Sequence, residues 1–150
     1  MDPLSITASI IAVLQATKEI ISYVKETRDA PKELTKVYEE AKNLAILSYE
    51  LKDSLAEQDP HDPWLRATSK LAVRDGPLDQ YKKVLEVLVS KTTGHGHRKI
   101  GQVLAWKFIK EEVMTLLSQI ERIKPLVQIA LEMYHTFVSH SYRRVLLIVY

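Results

Sequence analysis

The sequence predicts an all-α fold, an antiparallel helical bundle of about five to six helices in one domain, and three observations carry that prediction. Apolar residues recur at three- and four-residue spacing along most of the chain, and no segment of any length alternates as a strand would. Four glycines serve 150 residues, fewer than the turns of a β-rich fold or a phosphate-cradling loop normally need. Proline follows Asp2, Asp62 and Gly76, at helix starts where its missing N–H costs nothing.

The first helix begins at Asp2-Pro3, where the carboxylate can accept an orphan N–H. Ile10, Leu14, Ile21 and Val24 hold the helical period until charge and then Ala30-Pro31 stop it, so the helix is expected to end near Arg28. A second amphipathic run places Leu34, Val37, Ala41, Leu44, Leu51 and Leu55 on one face. Two Asp-Pro steps, Asp59-Pro60 and Asp62-Pro63, end that run and restart a short helix over Trp64 to Arg74. Asp75-Gly76-Pro77 is a further stop and restart, after which Leu78, Tyr81, Leu85 and Leu88 mark a fourth helix ending near Lys91. Thr92 to His97 carries two glycines and no helical period, and reads as a loop. From Ile100 to Tyr134 a long period resumes, with a break expected around Trp106 to Phe108 and a kink expected at Pro125. The domain is accordingly drawn over residues 1–135. Residues 136–150 are left as an apolar tail or last helix, because the run Val145 to Tyr150 fits a helical turn, a strand or an exposed tail.

Composition narrows the function. Apolar residues make up 46% and charged residues 27% of the chain, the ordinary globular mixture. A net charge of +2 is too slight for a surface that tracks nucleic-acid phosphates. Without cysteine there is no thiolate metal site, disulfide or cysteine nucleophile, which fits a cytoplasmic location. The acid at Asp2 and the lack of a small-residue cleavage pattern argue against a secretory signal.

Several strings in order resemble a known family: Met1-Asp2-Pro3-Leu4-Ser5-Ile6-Thr7-Ala8-Ser9-Ile10-Ile11-Ala12-Val13-Leu14-Gln15, Asp29-Ala30-Pro31-Lys32-Glu33, Trp64 with Leu71-Ala72 before Gly76-Pro77-Leu78, Leu104-Ala105-Trp106-Lys107-Phe108, and Ile120-Glu121-Arg122. Over Met1 to Glu132 the chain resembles a fungal N-terminal domain found ahead of NACHT or ankyrin-type architectures. The resemblance implies a HeLo-like helical module of STAND (NLR-like) innate immune receptors, a signalling or programmed cell-death effector. Such modules include some whose N-terminal helix acts at membranes. The chain departs from that pattern in showing no nucleotide-binding region or ankyrin array and in the stretch His135 to Tyr150.

The candidate membrane or oligomer helix is the first one, through Leu4, Ile6, Ala8, Ile10, Ile11, Ala12, Val13, Leu14, Ala16, Ile20, Ile21 and Val24. Pro3 to Thr17 carries no charge and is apolar around much of its circumference, more than a one-face surface helix needs. Burial at the bundle centre, with Ala8, Ala12 and Ala16 letting backbones approach, is the competing and favoured resting state; a helix can be buried first and exposed later. Lys82, Lys83, Lys91, Arg98 and Lys99 form a candidate basic patch for lipid phosphates, although Asp75, Asp79 and Glu86 lie nearby to offset it.

No catalytic, cofactor or metal site is expected. His95-x-His97 lacks the further ligands of a zinc site. Gly94-x-Gly96 lacks the context of a phosphate loop. Ser139-His140-Ser141 lacks the strained turn and acid of a hydrolase, and Glu39-Glu40 and Glu111-Glu112 sit where paired acids solvate a helix. Trp64, Trp106 and Phe108 are expected to plug bundle ends. The expected partners are therefore protein, by self-association or by docking to a receptor or adaptor, and anionic membrane, with recruitment to the inner face of the plasma membrane. Nucleic acid and small-molecule substrates are not expected.

Overall fold

In the computed structural model, which describes residues 3–57, 63–93 and 102–149, the chain forms five helices and, among those residues, no strand. They are α1 (Pro3–Glu26), α2 (Lys32–Ala56), α3 (Pro63–Ser69), α4 (Pro77–Thr93) and α5 (Gln102–Val149).

Local chemistry sets the boundaries. At the end of α1 the Thr27 hydroxyl donates to the Tyr23 carbonyl at 2.8 Å and the Thr27 N–H to the Val24 carbonyl at 3.2 Å, which satisfies two terminal acceptors. The chain then turns through Asp29, whose φ of 52° is a left-handed conformation that Asp tolerates better than most residues. The Pro31 carbonyl takes the first N–H groups of α2, from Leu34 and Thr35. α3 is shorter than its sequence pattern predicts, because Leu71 to Gly76 fold into successive turns. Asp75 there has φ 57°, and its N–H is caught by the Asp79 carboxylate at 2.9 Å. Gly76 is required at this turn: a Cβ would lie 2.7 Å from Val73 Cγ2 and 2.9 Å from the Val73 carbonyl oxygen.

α1 packs on α2 and α4, and α5 packs on the same two helices from the opposite corner, while α3 closes one end against α5. Directions follow from named contacts. Lys91 at the end of α4 reaches the Phe108 carbonyl near the start of α5, so these two run antiparallel, as α1 and α2 do across their short loop. Glu40 meets Lys124 and Glu57 meets Tyr134, so α2 and α5 run the same way. Tyr23 and Arg28, at the end of α1, share a cleft with Ala105 and Trp106 of α5, which places the ends of α1 and α4 at one pole. The expected antiparallel bundle thus holds for consecutive pairs, but α1/α4 and α2/α5 are parallel neighbours. α3 and the turns after it carry the chain across the other pole and permit this.

One continuous core joins the helices. Ile6, Ile10, Val13 and Ile20 of α1 meet Leu34, Val37, Ala41 and Leu44 of α2, Tyr81, Leu85 and Leu88 of α4, and Ile109, Val113, Leu116 and Ile120 of α5. α3 is pinned by Trp64, whose indole Nε1–H donates to the Ala130 carbonyl at 2.7 Å and whose ring lies 5.2 Å from that of Tyr134. The Tyr134 hydroxyl in turn donates to Glu57 at 2.8 Å, tying the end of α2 to the same corner.

One expectation for α5 needs correction. No break occurs at Trp106 to Phe108: Trp106 packs half-buried against the core, and Phe108 turns outward with the Lys91 ammonium 4.7 Å from its ring centre, so both aromatics are accommodated within the helix. The helix also runs through Pro125, which sits on its exposed side, and continues uninterrupted past residue 135 to Val149. What changes at that point is burial. From His135 onward only Val138 packs against the core.

Candidate functional site

Two helix faces dominate the surface. On α1, Ile6, Ile10, Val13, Leu14, Ile20 and Val24 are buried, Ala12, Ala16 and Ile21 are half-buried, and Leu4, Ala8 and Ile11 are exposed. The alanine row is therefore not the packing seam of the bundle; branched aliphatics three and four residues apart are. The consecutive residues Ile10 and Ile11, equivalent by composition, differ sharply, at 1% and 40% exposure. From Leu4 to Glu26, α1 is long and apolar enough to cross a membrane by length and composition. Its charge-free part, Pro3 to Thr17, covers only about 22 Å at 1.5 Å per residue, short of about 30 Å of hydrocarbon.

The described lysines of the basic patch are each engaged by acids. Lys82 lies 3.8 Å from Glu86. Lys83 lies 2.7 Å from Asp75 and 3.3 Å from Asp79, and those two hydrogen-bonded carboxylates raise its pKa. The Asp75 N–H and then Lys83 hold the Asp79 carboxyl below its usual range. Lys91 pairs with Glu112 on α5. Arg98 and Lys99 lie outside the described residues, as do His95, His97, Gly94 and Gly96.

Two clefts are open among the described residues. A cleft of about 210 Å³ between α1 and α4 is lined by Ser9, Arg74, Asp79 and Lys82. The Ser9 hydroxyl there donates to the Ser5 carbonyl, and no histidine is among the described residues that line the cleft. Another cleft, about 200 Å³, is mostly apolar and lies between Tyr23, Pro31, Leu34 and Trp106. Among the described residues no group of three or more His, Asp or Glu side chains gathers to hold a metal. Ser139, His140 and Ser141 follow one another along the exposed part of α5, each pointing outward. Glu40 pairs with Lys124 at 3.4 Å.

Tyr81 of α4 is a deeply buried ionisable group. Burial pushes its pKa up to about 12, with Thr17 pulling weakly the other way. The Thr17 hydroxyl donates to the Val13 carbonyl at 2.8 Å, and the Tyr81 hydroxyl makes no hydrogen bond among the described residues.

The larger surface feature lies on α5, and of it the sequence pattern marked only the run Val145 to Tyr150. α5 exposes Leu126, Ile129, Met133 and Phe137 along one line on its outer side, then Tyr142, Val145, Leu146, Leu147, Ile148 and Val149 beyond the bundle, with Leu147 and Ile148 above 80% exposed. The signal was present. Between Ile120 and Tyr134 the apolar residues are too numerous for one stripe, and the surplus positions 126, 129 and 133 form a second. Comparison with family models, with curated proteins and with solved structures gives no match.

Proposed function

We propose that the chain is a non-catalytic signalling module that acts by helix-mediated oligomerisation, in keeping with the cell-death effectors of fungal STAND systems that its sequence resembles. The observation that supports this reading is the outer side of α5, where large apolar side chains stand in line on a helix that continues beyond its own core. Contiguous exposed apolar surface of this kind marks an interaction site in a folded protein. A second step, membrane association through α1, is favoured by the exposed Leu4, Ala8 and Ile11 on a helix with no charge before Lys18. In the resting fold the opposite face of α1 is sealed in the core, so that step requires α1 to leave the bundle or to lie flat at the interface.

The test is sedimentation of the intact chain over a wide concentration range, with dye leakage from anionic and neutral vesicles in parallel. Concentration-dependent association together with leakage supports the effector form. Association without leakage supports a protein-docking adaptor. A folded chain that stays monomeric and leaves vesicles intact overturns the proposal.

A further inference from the structure

α5 has two apolar stripes of different fate. Ile123, Val127, Leu131 and Tyr134 face the bundle and are buried. Leu126, Ile129, Met133 and Phe137 are exposed, and at 100° per residue His140, Arg144 and Leu147 extend their line to the end of the helix. From Leu126 to Val149 this outer line is about 36 Å long at 1.5 Å per residue.

We propose that this face pairs with the same face of a second copy of the chain, the two α5 helices running antiparallel and crossing near Phe137 and Val138. The proposal rests on the oligomerisation reading above and names its partner. The charge pattern specifies both partner and direction. Glu132 and Arg143 are eleven residues apart, three helical turns to within about 20°, so both lie on the same flank of the apolar line. Both are exposed, and neither makes an ion pair among the described residues.

In a parallel pair each flank faces the opposite flank of its neighbour, so Glu132 would meet no arginine, and Arg143 and Arg144 would lie level with their own copies. In an antiparallel pair like flanks face each other. Glu132 of each copy then stands opposite Arg143 of the other, and the contact forms twice about a two-fold axis. The same register brings Phe137 to the axis and sets Leu126 and Ile129 against the tip that carries Leu146 to Val149. The tip, whose apolar side chains are exposed, is thereby covered by the outer side of the neighbour's α5. Such an isologous pairing closes on itself and leaves no apolar end to propagate a fibre.

Charge reversal of the intact chain tests this. Glu132→Arg alone or Arg143→Glu alone places like charges in both contacts, and each variant should self-associate roughly tenfold more weakly than the parent. A one-to-one mixture of the two variants places opposite charges in both contacts again and should recover parental affinity. The absence of native cysteine permits a second readout. Phe137→Cys should oxidise readily to a covalent dimer, whereas Leu147→Cys should not, its two copies lying about 28 Å apart along the paired helices. All four positions are exposed, and circular dichroism checks that each variant is folded. Association that ignores both charges, or that cross-links Leu147→Cys as readily as Phe137→Cys, overturns the antiparallel pairing while leaving the oligomerisation reading intact. A monomer at all concentrations overturns both. A monomeric chain that binds anionic vesicles through Arg143 makes lipid the occupant of this face and overturns the pairing.

Discussion

Replacing Ile10 and Ile11 one at a time by alanine separates the two faces of α1. Ile10 is 1% exposed in the core, and truncating a fully buried isoleucine costs about 2–5 kcal/mol through lost transfer energy and the cavity left behind. Alanine's better helix propensity returns only about 0.4 kcal/mol. The net expectation for Ile10→Ala is a loss of about 3 kcal/mol, a large fraction of the stability of a domain this size. Ile11 is 40% exposed, and water fills the space its side chain leaves, so the cavity term is absent. Its residual burial and the propensity gain nearly offset each other, and the loss for Ile11→Ala should stay at about 1 kcal/mol or less. Urea unfolding followed by far-UV circular dichroism measures both. Equal losses for the two variants, or a larger one for Ile11→Ala, would refute the assignment of faces. The same contrast makes a charge at Ile11, and not at Ile10, the informative probe of membrane binding, because only the former leaves the fold in place.

Two further outcomes follow from the buried polar contacts. Trp64→Phe removes the donor to the Ala130 carbonyl and part of a buried ring, and should cost about 2 kcal/mol in the same unfolding assay. Tyr81→Phe should be neutral or stabilising by roughly 1 kcal/mol, since the hydroxyl it removes is buried with no hydrogen-bond partner among the described residues. Its pH signature has a definite sign. The folded pKa is raised above the unfolded value of 10.0 to about 12, so between those values the unfolded chain ionises while the folded chain holds its proton, and stability falls as pH rises. The parent should lose about 2–3 kcal/mol more than Tyr81→Phe across that window, measured as the difference between their pH–stability curves.

The helices were legible because their signals are local. Apolar spacing, Asp-Pro and Gly-Pro steps and the scarcity of glycine located five helices, with ends within two residues for α1 and α2. Three features were not legible. The helix expected to reach Arg74 stops at Ser69, because the turns from Leu71 to Gly76 depend on the left-handed Asp75 and on its N–H bond to the Asp79 carboxylate, neither of which has an apolar period. The parallel neighbours α1/α4 and α2/α5 depend on where α3 crosses, a tertiary matter. The break expected at Trp106 mistook two aromatics that pack on opposite sides of one helix for an interruption of it. For the candidate site, composition identified α1 as unusually apolar but did not rank its faces, and an alanine row that looked like a close-packing seam lies at the edge of the core, from exposed Ala8 to half-buried Ala16. The second stripe of α5 was hidden inside a run rich enough in apolar residues to read as one long core helix.

The most direct measurement of the central claim is amide hydrogen exchange of residues 139–149 as a function of protein concentration. In a single copy this end of α5 has no core to lean on, and a helical end of that length is marginal in water. Association through the outer side of α5 predicts that its amides exchange fast in dilute solution and gain protection as concentration rises, while Ile109 to Ile123 remain equally protected throughout. Protection of residues 139–149 that is the same at every concentration would contradict the account.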